Sequence, residues 1–265
     1  MSTISSVAST LSEAAIETVD RALHPMKAAR VMGRLMRKMV HKPGAPPGAL
    51  VHTGPRKMEM VRFRLIEYDQ EKLKETELEE VSQAFAIRDN PPVGWLNVDG
   101  LHETEILQEI RDHFGLHVLV MEDVVTVGQR PKMEDYGEYI YFVVPMISFN
   151  EDTLTVHTEQ LSLVLGQNWI LTFQERLGDA FEPVRERIRT AYGRIRSRGA
   201  DYLAFALMDA VVDRYFLILE QLGDVAEELD DVVMGDPTPQ VLHRINHLKR
   251  ELLLLRKSVW PLREA

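Results

Sequence analysis

The sequence of 265 residues contains no cysteine, which excludes disulfide bonds and metal sites built on thiolates. It also lacks a long apolar run. The longest stretches without a charged residue, 139–150 and 160–174, are shorter than the roughly 18 to 20 residues that a membrane-spanning helix needs. The N-terminus has no charged segment followed by an apolar core and a cleavage site. We therefore expect a chain that is not exported and does not itself cross a membrane.

Acidic residues outnumber basic ones, 41 to 31, and the two signs are unevenly distributed. Residues 1–57 carry nine basic and three acidic side chains, whereas the remainder carries 22 basic and 38 acidic ones. The acidic part argues against nucleic acid as a partner, because phosphate contacts need a basic surface. It favours cations.

Residues 1–57 are interpreted as a basic tail followed by a linker. Between positions 21 and 42 there are seven Lys or Arg, four Met and no acid. A solvated tail is the first interpretation of this segment, and a basic amphipathic helix at a membrane surface is the alternative. Proline and glycine then recur from 43 to 55 at a density that neither helix nor sheet tolerates.

Residues 58–199 combine strand and helix patterns. Alternation and turn signals predict five strands, at 60–66, 94–98, 139–149, 153–165 and 169–173. Helical spacing predicts a helix over 102–114 that ends at Gly115, a short helix through Met121, and a helix over 179–195. The predicted fold class is α/β, with an α/β/α layered domain and a mixed sheet.

Residues 200–265 contain only helical patterns and predict an antiparallel helical hairpin, broken at 235–237. In the second arm, apolar residues repeat at alternating spacings of four and three, as in a coiled-coil seam. The seam consists of Val241, Ile245, Leu248, Leu252, Leu255, Val259 and Leu262. We expect this arm to extend beyond a compact domain.

Motifs of common enzyme classes are absent: there is no phosphate-binding glycine loop, dinucleotide fingerprint, nucleophile elbow or HExxH. We therefore predict that the protein is not an enzyme. Two histidine pairs have i, i+4 spacing, His113 with His117 and His243 with His247. Exposed polar helix positions are the preferred interpretation of both pairs, because zinc usually needs three or four protein ligands.

Carboxylates are more informative than the histidines. Asp209 and Asp213 lie one helical turn apart among apolar neighbours, so their burial would destabilise the fold unless a cation neutralises them. Glu122 and Asp123 form an adjacent acid pair after the apolar run 116–121. Carboxylate oxygens with bound water are the ligands that Mg²⁺ prefers. A helix end or an ion pair remains the alternative interpretation of each pair.

Nine short segments of residues 58–265 form a recognisable series: GWLNV (94–98), HFGLH (113–117), MED (121–123), QRPK (129–132), FEPVRERIR (181–189), DYL (201–203), DA (209–210), LKR (248–250) and LRKSVWPLRE (255–264). In their order and spacing these segments resemble the CorA family of magnesium and cobalt transporters. Residues 1–57 lie outside the resemblance.

The resemblance implies a cytoplasmic α/β/α domain followed by two acidic "willow" helices and a stalk that leads to the inner membrane. It implies a homopentamer in which Mg²⁺, and Co²⁺ as a second candidate, binds between subunits and holds the channel closed. The interfacial acid pair of the family corresponds to Glu122 and Asp123. A willow-helix aspartate corresponds to Asp209, and Asp213 is a further candidate ligand.

The transmembrane helices and pore signature of the family are not found up to Ala265, so we expect this chain to be a portion of a longer transporter. A zinc-transporting relative within the same superfamily is one alternative function, in which the histidine pairs would matter more. A soluble coiled-coil scaffold that binds a partner protein without any ion is the other alternative.

Overall fold

A computed structural model describes residues 50–89, 92–235 and 238–263. The basic segment at 21–42, most of the linker and two residues of the predicted break at 235–237 lie outside the described residues.

A seven-stranded sheet forms the centre of the fold, in the order β2-β1-β3-β7-β6-β5-β4. Its strands are β1 Arg62–Tyr68, β2 Leu73–Leu78, β3 Val93–Asp99, β4 Lys132–Asp135, β5 Ile140–Asn150, β6 Thr155–Leu165 and β7 Trp169–Gln174. Among the described residues, only β3 and β7 pair in parallel, and the other neighbouring strands are antiparallel. The predicted mixed sheet is therefore confirmed.

Helices cover both faces of this sheet. They are α1 Thr104–Phe114, α2 Val118–Val125, α3 Glu182–Arg189, α4 Ala200–Gly235 and α5 Pro239–Val259, with 3₁₀ helices at Val81–Arg88, Ile195–Ser197 and Trp260–Arg263. The first 3₁₀ helix, α1 and α2 share one apolar core with one face of the sheet. The second core joins the other face to α3, α4 and α5. The result is the predicted α/β/α layering.

The long helical hairpin is confirmed, and six of the seven predicted seam residues of its second arm lie in or against one core. Val241, Leu248 and Leu255 are buried in the core that contains α4 and the sheet. Leu252 is 39% exposed, and the neighbouring Glu251 is buried instead. The alternating 3,4 spacing therefore marks a helix that lies on α4 and the β5–β6 hairpin.

Candidate cation-binding site

The first acid pair lies on α2. His117 precedes the helix, and its Nδ1 accepts a hydrogen bond from Leu119 N at 3.3 Å, which satisfies one of the free amides at the helix start. The apolar side of α2, including Met121 and Val124, is fully buried. This packing turns Glu122 and Asp123 toward the surface, where both are half-buried.

Two side chains of the same chain bind the Asp123 carboxylate. Gln129 Nε2 donates to Oδ1 at 2.8 Å, and Lys132 Nζ lies 2.6 Å from Oδ2. Lys132 also binds Glu134 Oε1 at 2.7 Å. Partial burial alone would lower the pKa of Lys132, but the bonds to both carboxylates outweigh this and raise it. Lys132 is therefore a fixed cation beside Asp123.

Gln160 holds the loop that carries these partners. Its side-chain Nε2 donates to the main-chain oxygen of Asp123 at 2.8 Å. Its Oε1 accepts from the backbone amides of Gly128 at 3.1 Å and Gln129 at 3.0 Å. Gln160 is buried on β6, so the sheet positions the end of α2 and the start of the following loop.

The second acid pair lies on α4, and the structure corrects its predicted environment. Leu207 and Val211 face the sheet and are buried, whereas Asp209 and Asp213 are exposed on the opposite side. The 3.6-residue period separates apolar neighbours in sequence from these acids in space. In this chain the two carboxylates are hydrated, not desolvated as expected.

The exposed side of α4 is unusually apolar for a surface. Phe205 and Phe216 are 64% and 62% exposed, and Val212 and Leu219 are 42% and 48% exposed. Their spacings of seven, four and three place them on one face of the helix, and Asp209 lies on that same face. Such a contiguous apolar face is typical of a protein interface.

One chain does not bring the two acid pairs together. Helix α2 packs on one face of the sheet and α4 on the other. Within the described ranges, no group of three or more histidine or acidic side chains is placed to hold a metal ion. The carboxylate oxygens suit Mg²⁺, but a single chain supplies too few of them at one point.

Three of the four paired histidines lie within hydrogen-bond distance of backbone groups. His113 Nε2 lies 2.9 Å from Phe85 O, and its ring stacks on Phe85 with 4.1 Å between ring centroids. His117 is the cap of α2, and His247 Nε2 lies 3.1 Å from Thr153 O. These contacts favour structural roles for three of the four histidines.

Comparison with known proteins identifies the family. Residues 93–265 match the family model described as "CorA-like Mg2+ transporter protein". The chain belongs to this family. A "Cobalt/magnesium transport protein CorA" of Thermotoga maritima is 40% identical over 229 residues, which cover 86% of this chain and 65% of that protein. Its namesake in Methanocaldococcus jannaschii is 24% identical and matches over 58% and 48% of the two chains.

Solved structures agree with this CorA assignment at the level of the fold. The soluble domain of CorA from Methanocaldococcus jannaschii superposes with a TM-score of 0.60 at 21% identity, covering 76% of each chain. The cytoplasmic domain of ZntB from Vibrio parahaemolyticus gives 0.57 at 13% identity and covers 77% of each. None of the helices in the described ranges has the length and apolarity of a bilayer span.

Sequence reasoning missed the groups that surround Asp123. Gln129 and Lys132 belong to a segment noticed only for its family resemblance, and Gln160 lies 37 residues from Asp123 in the chain. Sequence periodicity carries no signal for such pairings, because they depend on where the loop after α2 meets the sheet. The one local indication of a partner for Asp123 is the basic residue Lys132 at the start of the short edge strand β4.

Proposed function

We propose that this chain is the cytoplasmic cation-sensing and gating part of a CorA-type magnesium and cobalt channel of the inner membrane. In the whole protein it forms a homopentamer, and Mg²⁺ bound between subunits favours the closed state. Co²⁺ is the second candidate ion. Glu122, Asp123, Asp209 and Asp213 contribute the ligands, directly or through water.

Placement of the acid pairs on opposite faces of the sheet supports a ring. A contact between two different patches is heterologous, and heterologous contacts close into rings when the rotation between subunits allows it. The α2 face of one subunit would then meet the α4 face of the next. A site of this kind has one half on each subunit, in keeping with the incomplete set of ligands in a single chain.

The exposed apolar face of α4 supports the same arrangement. Phe205 and Phe216 would be buried only when another subunit packs on them, and Asp209 between them would lose water at the same time. Burial of a carboxylate is unfavourable unless a cation pairs with it. A divalent ion bound to Asp209 would therefore stabilise the interface between subunits, and loss of the ion would destabilise it.

Asp123 carries the proposal most directly. Its carboxylate already binds a cation, the ammonium of Lys132 at 2.6 Å. The Asp123 side chain is still 20% exposed. Mg²⁺ with its bound water has twice the charge of the ammonium. Competition between the two cations would weaken the binding of Mg²⁺ at this carboxylate.

The names of relatives support magnesium and cobalt over zinc, since the 40% identical protein is a cobalt/magnesium transport protein. Contacts of His113, His117 and His247 with backbone groups give the zinc alternative no support.

The test compares thermal unfolding, sedimentation and limited proteolysis in EDTA and in millimolar Mg²⁺ or Co²⁺, with NaCl at matched ionic strength as the control. It uses both the 265-residue chain and the full-length transporter. A ligand that binds only the folded, assembled state raises stability by RT ln(1 + [L]/Kd). We expect protection by divalent ions in the full-length protein, and its loss in Asp123→Asn.

Asp152→Asn is the matched control, because Asp152 is an exposed acid in the β5–β6 turn. Protection in full-length Asp123→Asn equal to that of the wild type would show that Asp123 is not a ligand. If divalent ions change neither protein beyond the NaCl control, the scaffold alternative replaces the sensor.

A further inference from the structure

A chain of buried polar side chains crosses the carboxyl ends of β3 and β7. Trp95 Nε1 donates to Thr172 Oγ1 at 2.9 Å, and Thr172 Oγ1 donates to Asn97 Oδ1 at 2.7 Å. Asn97 Nδ2 then donates to Asp99 Oδ1 at 3.1 Å. All four residues are buried, so the network orients Asp99 rigidly at the end of β3.

Gln174 joins this network to α3. Its Nε2 donates to Asp99 Oδ1 and also approaches Asp179 Oδ2 at 3.3 Å. Asp179 forms a bidentate pair with Arg185, whose guanidinium lies 5.1 Å from the ring centre of Trp95. Arg185 also bonds Glu182 Oε2 at 3.4 Å, and among the described residues no side chain forms an ion pair with Asp99.

A cleft of about 240 Å³ opens at this edge, lined by Asn97, Asp99, Gln174, Asp179, Arg185 and other side chains. After β3 the chain turns to α1 on one face of the sheet, and after β7 it turns to α3 on the other. The cleft therefore lies outside the carboxyl ends of two parallel strands at a topological switch point. Open α/β sheets bind their ligands at such a crevice.

Two acceptor atoms at the cleft lack partners among the described residues. Asp99 Oδ2 makes no hydrogen bond or ion pair, and Gln174 Oε1 is buried without a donor. Arg64 pairs with Glu77 at 3.1 Å and Glu182 pairs with Arg189 at 2.6 Å, whereas the buried Nε of Arg185 is a donor without a partner among the described residues. Burial raises the pKa of Asp99 and outweighs the opposing effects of the hydrogen bonds from Gln174 and Asn97 and of the Arg185 charge.

We infer that this cleft binds a small organic cation with a primary ammonium group, whose N–H groups bond to Asp99 Oδ2 and Gln174 Oε1. A bound metal ion fits less well, because no group of three acids or histidines in the described ranges is placed to hold one. An ammonium needs only one carboxylate and one carbonyl oxygen. This site is separate from the proposed cation sensor and does not depend on it.

The test follows the indole N–H resonances of the 265-residue chain by ¹H–¹⁵N NMR during titration with methylammonium or putrescine. Trp95 belongs to the network, whereas Trp169 lies in the opposite core and Trp260 near the end of the described chain, so these two serve as internal controls. We expect a saturable shift of Trp95 that NaCl at matched ionic strength does not produce.

Asp99→Asn removes the charge and keeps an acceptor for Asn97. We expect it to weaken amine binding by roughly tenfold or more, the loss expected when a charge-assisted hydrogen bond becomes neutral. Asp152→Asn is the control that keeps wild-type affinity. Absence of a saturable Trp95 shift in the wild type, equal affinity in Asp99→Asn, or a response to MgCl₂ but not to amines would each overturn the assignment.

Discussion

Lys132 Nζ lies 2.6 Å from Asp123 Oδ2 and 2.7 Å from Glu134 Oε1, so that one ammonium bridges two carboxylates of the same chain. The Lys132 side chain is 28% exposed. A divalent ion that binds Asp123 Oδ2 directly would displace this ammonium, and Glu134 can keep the displaced group paired. Displacing the ammonium from Asp123 costs the stabilisation of a partly exposed ion pair, about 0.2–1 kcal/mol.

Replacement of Lys132 by a neutral residue should therefore strengthen Mg²⁺ binding. In the full-length protein, Lys132→Gln is expected to lower the Mg²⁺ concentration that gives half-maximal protease protection by roughly two- to fivefold. Lys74→Gln is the matched control, since Lys74 pairs with Glu67 on the opposite edge of the sheet. A midpoint that stays constant or rises in Lys132→Gln would contradict the competition.

The two sides of α4 should respond oppositely to mutation. Leu207 is fully buried against the sheet, and Leu207→Ala is expected to lower the free energy of unfolding by about 2–5 kcal/mol. Phe216 is 62% exposed, so Phe216→Ser should leave the unfolding of the isolated chain nearly unchanged but weaken self-association in Mg²⁺. Urea titration and sedimentation velocity measure the two effects. Equal destabilisation by both changes would show that the exposed face is packed within one chain.

Regular elements with a strong local period were predictable from the sequence. The helix predicted over 102–114 is observed as Thr104–Phe114 and ends at Gly115, whose φ of 68° is the left-handed conformation that glycine allows. The hairpin strands β5, β6 and β7 lie within a few residues of their predicted bounds. Both arms of the helical hairpin are likewise confirmed.

Elements that depend on tertiary packing were not predicted. Strand β2, with the sequence LKETEL, is mostly polar because it forms an exposed edge of the sheet. Edge strand β4 has four residues, too few for a periodic signal. The adjacency of Asp123 and Lys132, and of Asp99 and Gln174, follows from strand order and loop path. The four proposed metal ligands remain a prediction.

Asp99 should make stability depend on pH. Burial raises its pKa in the folded protein above the unfolded value of about 3.9. Between these two values the folded state binds more protons than the unfolded state, so stability falls as pH rises through this window. Asp99→Asn removes this pH-dependent contribution to the free energy of unfolding. We expect the variant to be more stable than the wild type at neutral pH, with the difference closing as pH falls toward the unfolded value.

Urea titrations of both proteins across the acidic range measure that difference, and contributions from other carboxyls largely cancel in it. Asp152→Asn, a change of the same kind at an exposed position in the β5–β6 turn, is measured in parallel as the control. A difference between Asp99→Asn and wild type that widens at low pH would show that the Asp99 carboxylate is stabilised, not penalised, by its surroundings.

Glu251 should link the last helix to the sheet. It is buried on α5, and its Oε2 accepts a hydrogen bond from Val156 N at 2.8 Å. Glu251→Ala would leave that amide without a partner at the start of β6, at an expected cost of about 1–3 kcal/mol. Glu251→Gln keeps an acceptor of the same length and should recover most of the loss. Hydrogen exchange at Val156 distinguishes the two variants, because only the alanine change should speed it strongly. Equal exchange rates in both variants would show that this hydrogen bond does not hold the start of β6 to α5.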